Sequence, residues 1–251
     1  MKINAGDVAR LMKSLSKTAN KKHFTSAVIA AAGSGTRMGE GSTTKQLIEL
    51  CKIPVIARTL LAFEQNANID EIIVAARPDE IPIYSEFTDK YNISKLKAVV
   101  AGGETRQESV LRGFEAVSDE SEFVAIHDGA RCLVGTETID KVLHAAYSWG
   151  AATAASHVSD TVKRGGFGDF IEETIDRDSL WLVQTPQVFK TELYRAAAYT
   201  ALDEGFKATD DNMLVEHIGF RVKLVDCGTG NIKITTPTDL AVAEVLLRGK
   251  S

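Results

Sequence analysis

Long apolar runs are missing from this 251-residue chain. Its most apolar windows span about seven to nine residues, against the roughly 20 needed to cross a bilayer as a helix, so a helical membrane span is excluded. Cysteine is sparse: Cys51, Cys132 and Cys227 are odd in number, far apart and in no CxxC pair. That spacing argues against a disulfide framework or a zinc site and suits a reducing compartment. There is no HExxH, no G-x-S-x-G and no Cys/His/Asp constellation pointing to covalent catalysis. Net positive charge is also lacking. At −5 and a pI near 5.6 the chain has no general attraction for nucleic acid or anionic membranes, and an anionic ligand needs a local concentration of cations. No tract rich in Pro, Gly or Ser divides the body, and no internal repeat is visible.

Charged residues are present in ordinary amount, 25% of the chain beside 44% hydrophobic. That is enough for a core that folds without staples. Residues 1–23 differ from the rest. Lys2, Arg10, Lys13, Lys17, Lys21 and Lys22 face a single acid, Asp7, and Val8, Leu11, Met12 and Leu15 recur at helical spacing. This predicts a short amphipathic extension docked on the body or on a partner. A basic, acid-poor organellar targeting segment is the alternative.

From residue 24 the chain alternates strand and helix. Strands are predicted at 26–32, 70–76, 96–101 and 122–128. Pro54 suits the start of a helix, Thr105 and Glu108 have capping-box spacing, and Thr136 is placed to cap a helix ended by Gly150. Such alternation implies parallel strands and right-handed crossovers. The expected body, residues 24–251, is one α/β domain with a doubly wound, mostly parallel, Rossmann-like sheet. Its ligand lies beyond the carboxyl ends of the strands. The pattern breaks at about 157–189, where short β-like pieces predict an inserted β-arm that reaches a partner subunit. Helices near 191–203 and 209–219, strands at RVKLVDC and NIKITT and a helix begun by Pro237 complete the reading.

Three strand ends carry polar chemistry. The first is AAGSGTRMGEGSTTKQ (31–46). Gly33, Gly35 and Gly39 let backbone N–H groups approach a phosphate, although the spacing fits neither the dinucleotide fingerprint nor a Walker loop. Arg37 and Lys45 add charge. A cation about 4 Å from a phosphate oxygen gains roughly 4 kcal/mol at an effective dielectric near 20. The second is AGGETRQES (101–109), whose Gly102 and Gly103 allow close backbone approach to a base edge. The third is IHDGARC (126–132). There Asp128 is placed to hold Mg²⁺, Arg131 to meet a phosphate or a polyol, and His127 to pack within its strand. Their convergence suggests phosphoryl or nucleotidyl transfer, in which the protein supplies position and charge.

Taken in order, AAGSGTRMG…KQ, GGETRQES, HDGAR, DTVKR, DRDSLWLVQTPQVF, ATDD and NIKITTPTDL resemble the 2-C-methyl-D-erythritol 4-phosphate cytidylyltransferases over roughly residues 25–247. The resemblance implies transfer of a cytidylyl group from CTP to a polyol phosphate with release of pyrophosphate, a Mg²⁺ requirement, a place in non-mevalonate isoprenoid synthesis and a cytoplasmic homodimer. It implies that Arg37 and Lys45 stabilise the transition state, and that Arg177 and Lys233 position the attacking phosphate. Ala31, Ala32, Gly33, Gly35, Gly103, Glu104, Ser109 and Gly129 fall to the nucleotide, Asp128 to ribose and metal, and Arg131, Thr161 and Thr185 to the second substrate. The arm is implied to cross between subunits, so that Arg177 and Thr185 serve the partner's site. Departures are Thr44 and Cys132, where proline is common, and Asn212, where a small residue is usual. A ribitol 5-phosphate cytidylyltransferase and a non-catalytic nucleotide sensor are the alternatives.

Overall fold

A computed structural model describes residues 22–33 and 44–249. The predicted helix of the basic extension, and Gly35 and Arg37 of the glycine-rich loop, lie outside these residues.

The chain enters on β1 (Thr25–Ala30), forms a short ladder of β2 (Glu49–Leu50) and β3 (Ile53–Pro54), and continues through α1 (Val55–Glu64) and β4 (Glu71–Ala76). Two short helices, α2 (Ile81–Ser85) and α3 (Phe87–Lys90), lead to β5 (Leu96–Ala101), α4 (Arg106–Glu115), β6 (Phe123–Asp128), α5 (Thr136–Trp149) and β7 (Ala151–His157). The hairpin of β8 (Val162–Gly165) and β9 (Ile171–Ile175) follows. The chain then runs through β10 (Trp181–Lys190), α6 (Thr191–Glu204), α7 (Asp211–His217), β11 (Lys223–Asp226) and α8 (Pro237–Arg248).

Seven strands make the main sheet in the order β11-β7-β10-β6-β1-β4-β5, and β10 alone runs against the rest. The doubly wound, mostly parallel α/β sheet is therefore as expected. β1, β4 and β6 are apolar along nearly their whole length because helices cover both faces. Strand parity sends Ala27 and Ile29 toward Leu60, Phe63, Val142 and Leu143 of α1 and α5. Val28 faces Val110, Phe114, Leu193 and Tyr194 of α4 and α6. A Cβ on Gly113 of α4 would come 2.7 Å from Val28 Cγ1, so glycine permits this close approach of helix and strand.

Strand order reverses between β1 and β6. From β1 the chain steps to β4 and β5 on one side, and α4 then carries it back to place β6 on the other. The carboxyl ends of β1 and β6 diverge there and leave a crevice.

Several local expectations are corrected. Gly135, not Thr136, is the N-cap of α5, and Thr136 is the first helical residue, with no capping bond from its side chain. Gly150 does end that helix, at φ +83°. Thr105 accepts from Glu108 N at 3.1 Å, but the Glu108 carboxylate reaches one residue further back, to Glu104 N at 2.9 Å, so the box is offset. The arm is shorter than 157–189. Trp181–Val183 pair with β7 and Gln187–Lys190 with β6, the register shifting between Val183 and Gln187, where Pro186 has no N–H to donate. Within that stretch, β8, β9 and their flanks stand outside the main sheet. NIKITT is not a strand. Its polar groups are taken singly: Ile234 N donates to Ala130 O, Asn231 Nδ2 to Thr185 O, and Asn231 O accepts from Arg131 Nη1.

Candidate active site

The crevice holds a cavity of about 380 Å³ lined by Ala32, Gly33, Lys45, Gly103, Glu104, Ser109, Asp128 and Lys233, all singled out by sequence, and by Gln46, Arg106 and Thr235, which were not. Each wall has a local cause. The turn after β5 is pinned because Ser109 Oγ accepts from Gly103 N at 3.0 Å and donates to Thr105 O at 2.8 Å. Arg112 Nη1 holds Gly102 O at 2.7 Å. A Cβ on Gly102 would lie 2.3 Å from Ala32 Cβ, and one on Gly103 would lie 2.4 Å from Glu108 Cβ. Glycine at 102 lets the two strand ends meet, and glycine at 103 lets the turn fold back on α4.

Asp128 sits at the bottom, its side chain 9% exposed. Its backbone N–H donates to Thr185 Oγ1 at 3.0 Å. One carboxylate oxygen accepts from Arg106 Nε at 3.0 Å, and the other meets Lys233 Nζ at 2.8 Å, with Arg131 Nε 3.8 Å away. Burial alone would push this carboxyl up. Arg106 first, then Lys233 and Arg131, more than reverse that and hold it well below the usual carboxylate range. Arg106 reaches on to Asp211 Oδ2 at 2.7 Å, and Asp211, 1% exposed, also accepts from Tyr194 OH at 2.9 Å.

His127 is wholly buried beside this centre, bonded through Nδ1 to Thr185 Oγ1 and through Nε2 to Arg131 O. Burial pushes its pKa down to about 3, so it is neutral at physiological pH, which fits the packed strand histidine expected from sequence.

Other expected site residues do not line this cavity. Ala31 is buried, with its N–H on Ala75 O at 2.8 Å. Gly129 closes the strand end through N–H to Ala30 O at 2.9 Å. Arg131 is tied to Asn231 O at 2.7 Å. Thr161 is exposed beside β8. Arg177, on the arm, donates through Nη1 to Ser159 O and lines a separate open hollow with His157 and Asp178. The assignment of Thr185 to a partner's site is corrected, since its hydroxyl is buried beneath this chain's own Asp128.

The surroundings of Asp128 do not fit the Mg²⁺ expected there. Both carboxylate oxygens are engaged by cations, and a divalent ion there would face Lys233, Arg106 and Arg131 at close range. Among the described residues no group of three or more His, Cys, Asp or Glu side chains is placed to hold a metal. Arg106 is the main residue that sequence reading overlooked. It lay inside GGETRQES, whose capping pattern already accounted for the stretch.

The arrangement is a glycine-walled cavity with cations anchored on one buried carboxylate, suited to an anionic ligand. Comparison with known proteins agrees. Residues 25–249 match the family model described as 2-C-methyl-D-erythritol 4-phosphate cytidylyltransferase. Proteins of that name from Caldanaerobacter subterraneus and Geobacillus kaustophilus are 47% and 42% identical over 89% of this chain, and 98% and 97% of their own lengths are covered. A crystal structure of 4-diphosphocytidyl-2C-methyl-D-erythritol synthase from Anaerococcus prevotii superposes with a TM-score of 0.79 at 33% identity, covering 91% of this chain and all of that one. The Thermus thermophilus cytidylyltransferase gives 0.74 at 34%, covering 90% and 99%.

Proposed function

The chain belongs to the 2-C-methyl-D-erythritol 4-phosphate cytidylyltransferase family, and from that premise we propose how its crevice performs the reaction. The protein is a nucleotidyltransferase of isoprenoid biosynthesis that takes CTP and a phosphorylated sugar alcohol. The observation that carries the reading is the cavity at the strand reversal, where Lys45 and Lys233 meet a glycine-built wall. The cytosine and ribose lie along Ala32, Gly103 and Ser109, whose backbone is fixed before the ligand arrives. A phosphate oxygen of methylerythritol phosphate attacks the α-phosphorus of CTP. A P–O bond forms there as the bond to the β-phosphate breaks, and pyrophosphate leaves. Lys45, with Arg37, neutralises charge on the five-coordinate phosphorus. Lys233, held by Asp128, positions the attacking phosphate.

Two finer points go with this reading. A Mg²⁺ ion would offset charge on the departing pyrophosphate, and Asp128, already paired with Arg106 and Lys233, would not be its ligand. The enzyme is a homodimer joined through its arms. The arms expose Phe167 (101%), Phe170 (77%) and Ile171 (67%), an apolar surface that a partner's arm would cover. Arg177 then serves the partner's cavity. No helix among the described residues is long and apolar enough to cross a membrane. The three cysteines are unpaired, in keeping with a cytoplasmic enzyme.

The test is pyrophosphate release with CTP and Mg²⁺ plus methylerythritol phosphate, ribitol 5-phosphate or no polyol. Turnover is expected with the first. Preference for ribitol 5-phosphate would reassign the substrate, and nucleotide binding without turnover would make the protein a sensor.

A further inference from the structure

Arg106 is the residue at which three elements of the site meet. It is the first residue of α4, directly after the Thr105 cap. Its Nε and Nη1 bond different carboxylates, Asp128 on β6 at 3.0 Å and Asp211 on α7 at 2.7 Å. The far carboxylate is fixed in turn: Tyr194 OH donates to it at 2.9 Å, and its own N–H donates to Gln187 Oε1 at 3.0 Å. The near carboxylate has its other oxygen on Lys233 at 2.8 Å. A line of alternating charge, capped by the neutral hydroxyl of the buried Tyr194, therefore runs through Asp211, Arg106 and Asp128 to the ammonium in the cavity.

We infer that Arg106 is a positioning residue for the transfer reaction: by fixing one oxygen of Asp128 to Asp211, it sets where Asp128 holds Lys233 and so where the polyol phosphate is received. With Arg106 in place, Asp128 offers Lys233 one oxygen in one orientation. Without it, only Lys233 and the more distant Arg131 restrain the carboxylate, its freed oxygen competes for Lys233, and the ammonium is drawn down from the substrate. The two bonds come from a planar fork whose separate N–H groups point at separate acceptors. A lysine supplies the charge but cannot span both. The inference rests on the proposed reaction and deepens it.

Steady-state kinetics of pyrophosphate release test it on Arg106→Gln, Arg106→Lys, Asp211→Asn and the Arg106→Gln/Asp211→Asn double variant, with melting temperatures alongside. Losing a charge-assisted bond that acts on the transition state lowers the rate by about 10- to 100-fold. For Arg106→Gln the loss is expected in kcat/KM for the polyol phosphate, with KM for CTP within about threefold of wild type. Arg106→Lys should recover part of it. Asp211→Asn keeps the shape of its side chain and should lose less than Arg106→Gln. The double variant should be no worse than Arg106→Gln alone, because Asp211 acts only through Arg106. A purely architectural role would lower the melting temperature without this split between substrates. The inference is overturned if Arg106→Gln matches wild type, if its loss falls on CTP instead, or if the two single losses multiply. Should Arg106→Gln not fold, Asp211→Asn with unchanged kcat/KM overturns it equally. Absence of turnover by the wild type would instead refute the proposed reaction.

Discussion

Replacing Asp128 by Asn removes the charge on which Arg106, Lys233 and Arg131 converge while keeping the shape of the side chain. Deleting one partner of a buried ion pair costs about 3–5 kcal/mol because the surviving charge stays desolvated. Here the survivors are partly relieved. The Lys233 side chain is 36% exposed and turns to water, and Arg106, 29% exposed, keeps Asp211. The lower end, about 3 kcal/mol, is therefore expected, with Arg131 bearing most of it because its side chain is 13% exposed and its Nε has no other partner. For a chain of this size each kcal/mol moves the melting temperature by roughly 2–4 °C, so the variant should melt about 6–12 °C below wild type at pH 7.

The pH dependence gives a second, independent check. Asp128 is a carboxyl whose folded pKa is depressed, first by Arg106 and then by Lys233 against the opposing effect of burial. The unfolded chain takes up its proton near the ordinary value of about 3.9. The contribution is thus present in full above that value and is lost as pH falls through the lower folded value. Thermal melts followed by far-UV circular dichroism from pH 7 to pH 3 should show a constant gap between wild type and Asp128→Asn down to about pH 4, then a narrowing gap. Equal melting at pH 7, or a gap that stays constant to pH 3, would refute the account of Asp128 as a depressed, multiply paired carboxylate.

Further outcomes follow from the same geometry. Lys45→Ala should lower kcat by roughly 10²-fold or more with a smaller loss of CTP binding, measured by turnover and by calorimetric titration; equal losses would deny Lys45 a transition-state role. Lys45→Ala and Arg177→Ala, each inactive, should partly complement when mixed as verified heterodimers, and failure would place Arg177 in its own subunit's site. Phe167→Asp with Phe170→Asp should convert a dimer to monomers in sedimentation velocity without unfolding the body, and a dimer that persists would move the interface off the arm.

How far the sequence led depends on the range of the forces involved. β1, β4 and β6 were legible because buried parallel strands are near-continuous apolar runs, and β5, at the sheet edge, because LKAVVA is still largely apolar. Gly102, Gly103 and Asp128 were legible because strand ends before a turn are where such sheets bind ligands. What escaped was set by partners far along the chain. Arg106 finds Asp211 across 105 residues, and Arg131 finds Asn231 across 100. Nothing within GGETRQES or HDGAR signals either meeting. NIKITT alternates like a strand, yet Arg131, Thr185 and Ala130 take its polar groups one at a time and no ladder forms. Thr185 was assigned to the partner along with Arg177 because both belong to the arm-like stretch. The register shift before Gln187 instead returns that stretch to the main sheet, where Thr185 Oγ1 accepts from Asp128 N.

These long-range pairings explain how a chain of net charge −5 builds a site for an anion. Cations left loose in the cavity would repel one another and scatter into solvent. Asp128 and Asp211 hold Lys233, Arg106 and Arg131 at fixed places, and the cations still outnumber the two acids. On the proposed reaction, an arriving triphosphate and polyol phosphate would meet charges already oriented, with little lost to reorganising them at the moment of transfer. The same logic sets the role of the buried carboxylate. Were Asp128 a metal ligand, binding the metal would have to break the contacts that keep Lys233 and Arg106 in order. As an anchor for cations, it keeps Lys233 and Arg106 in order.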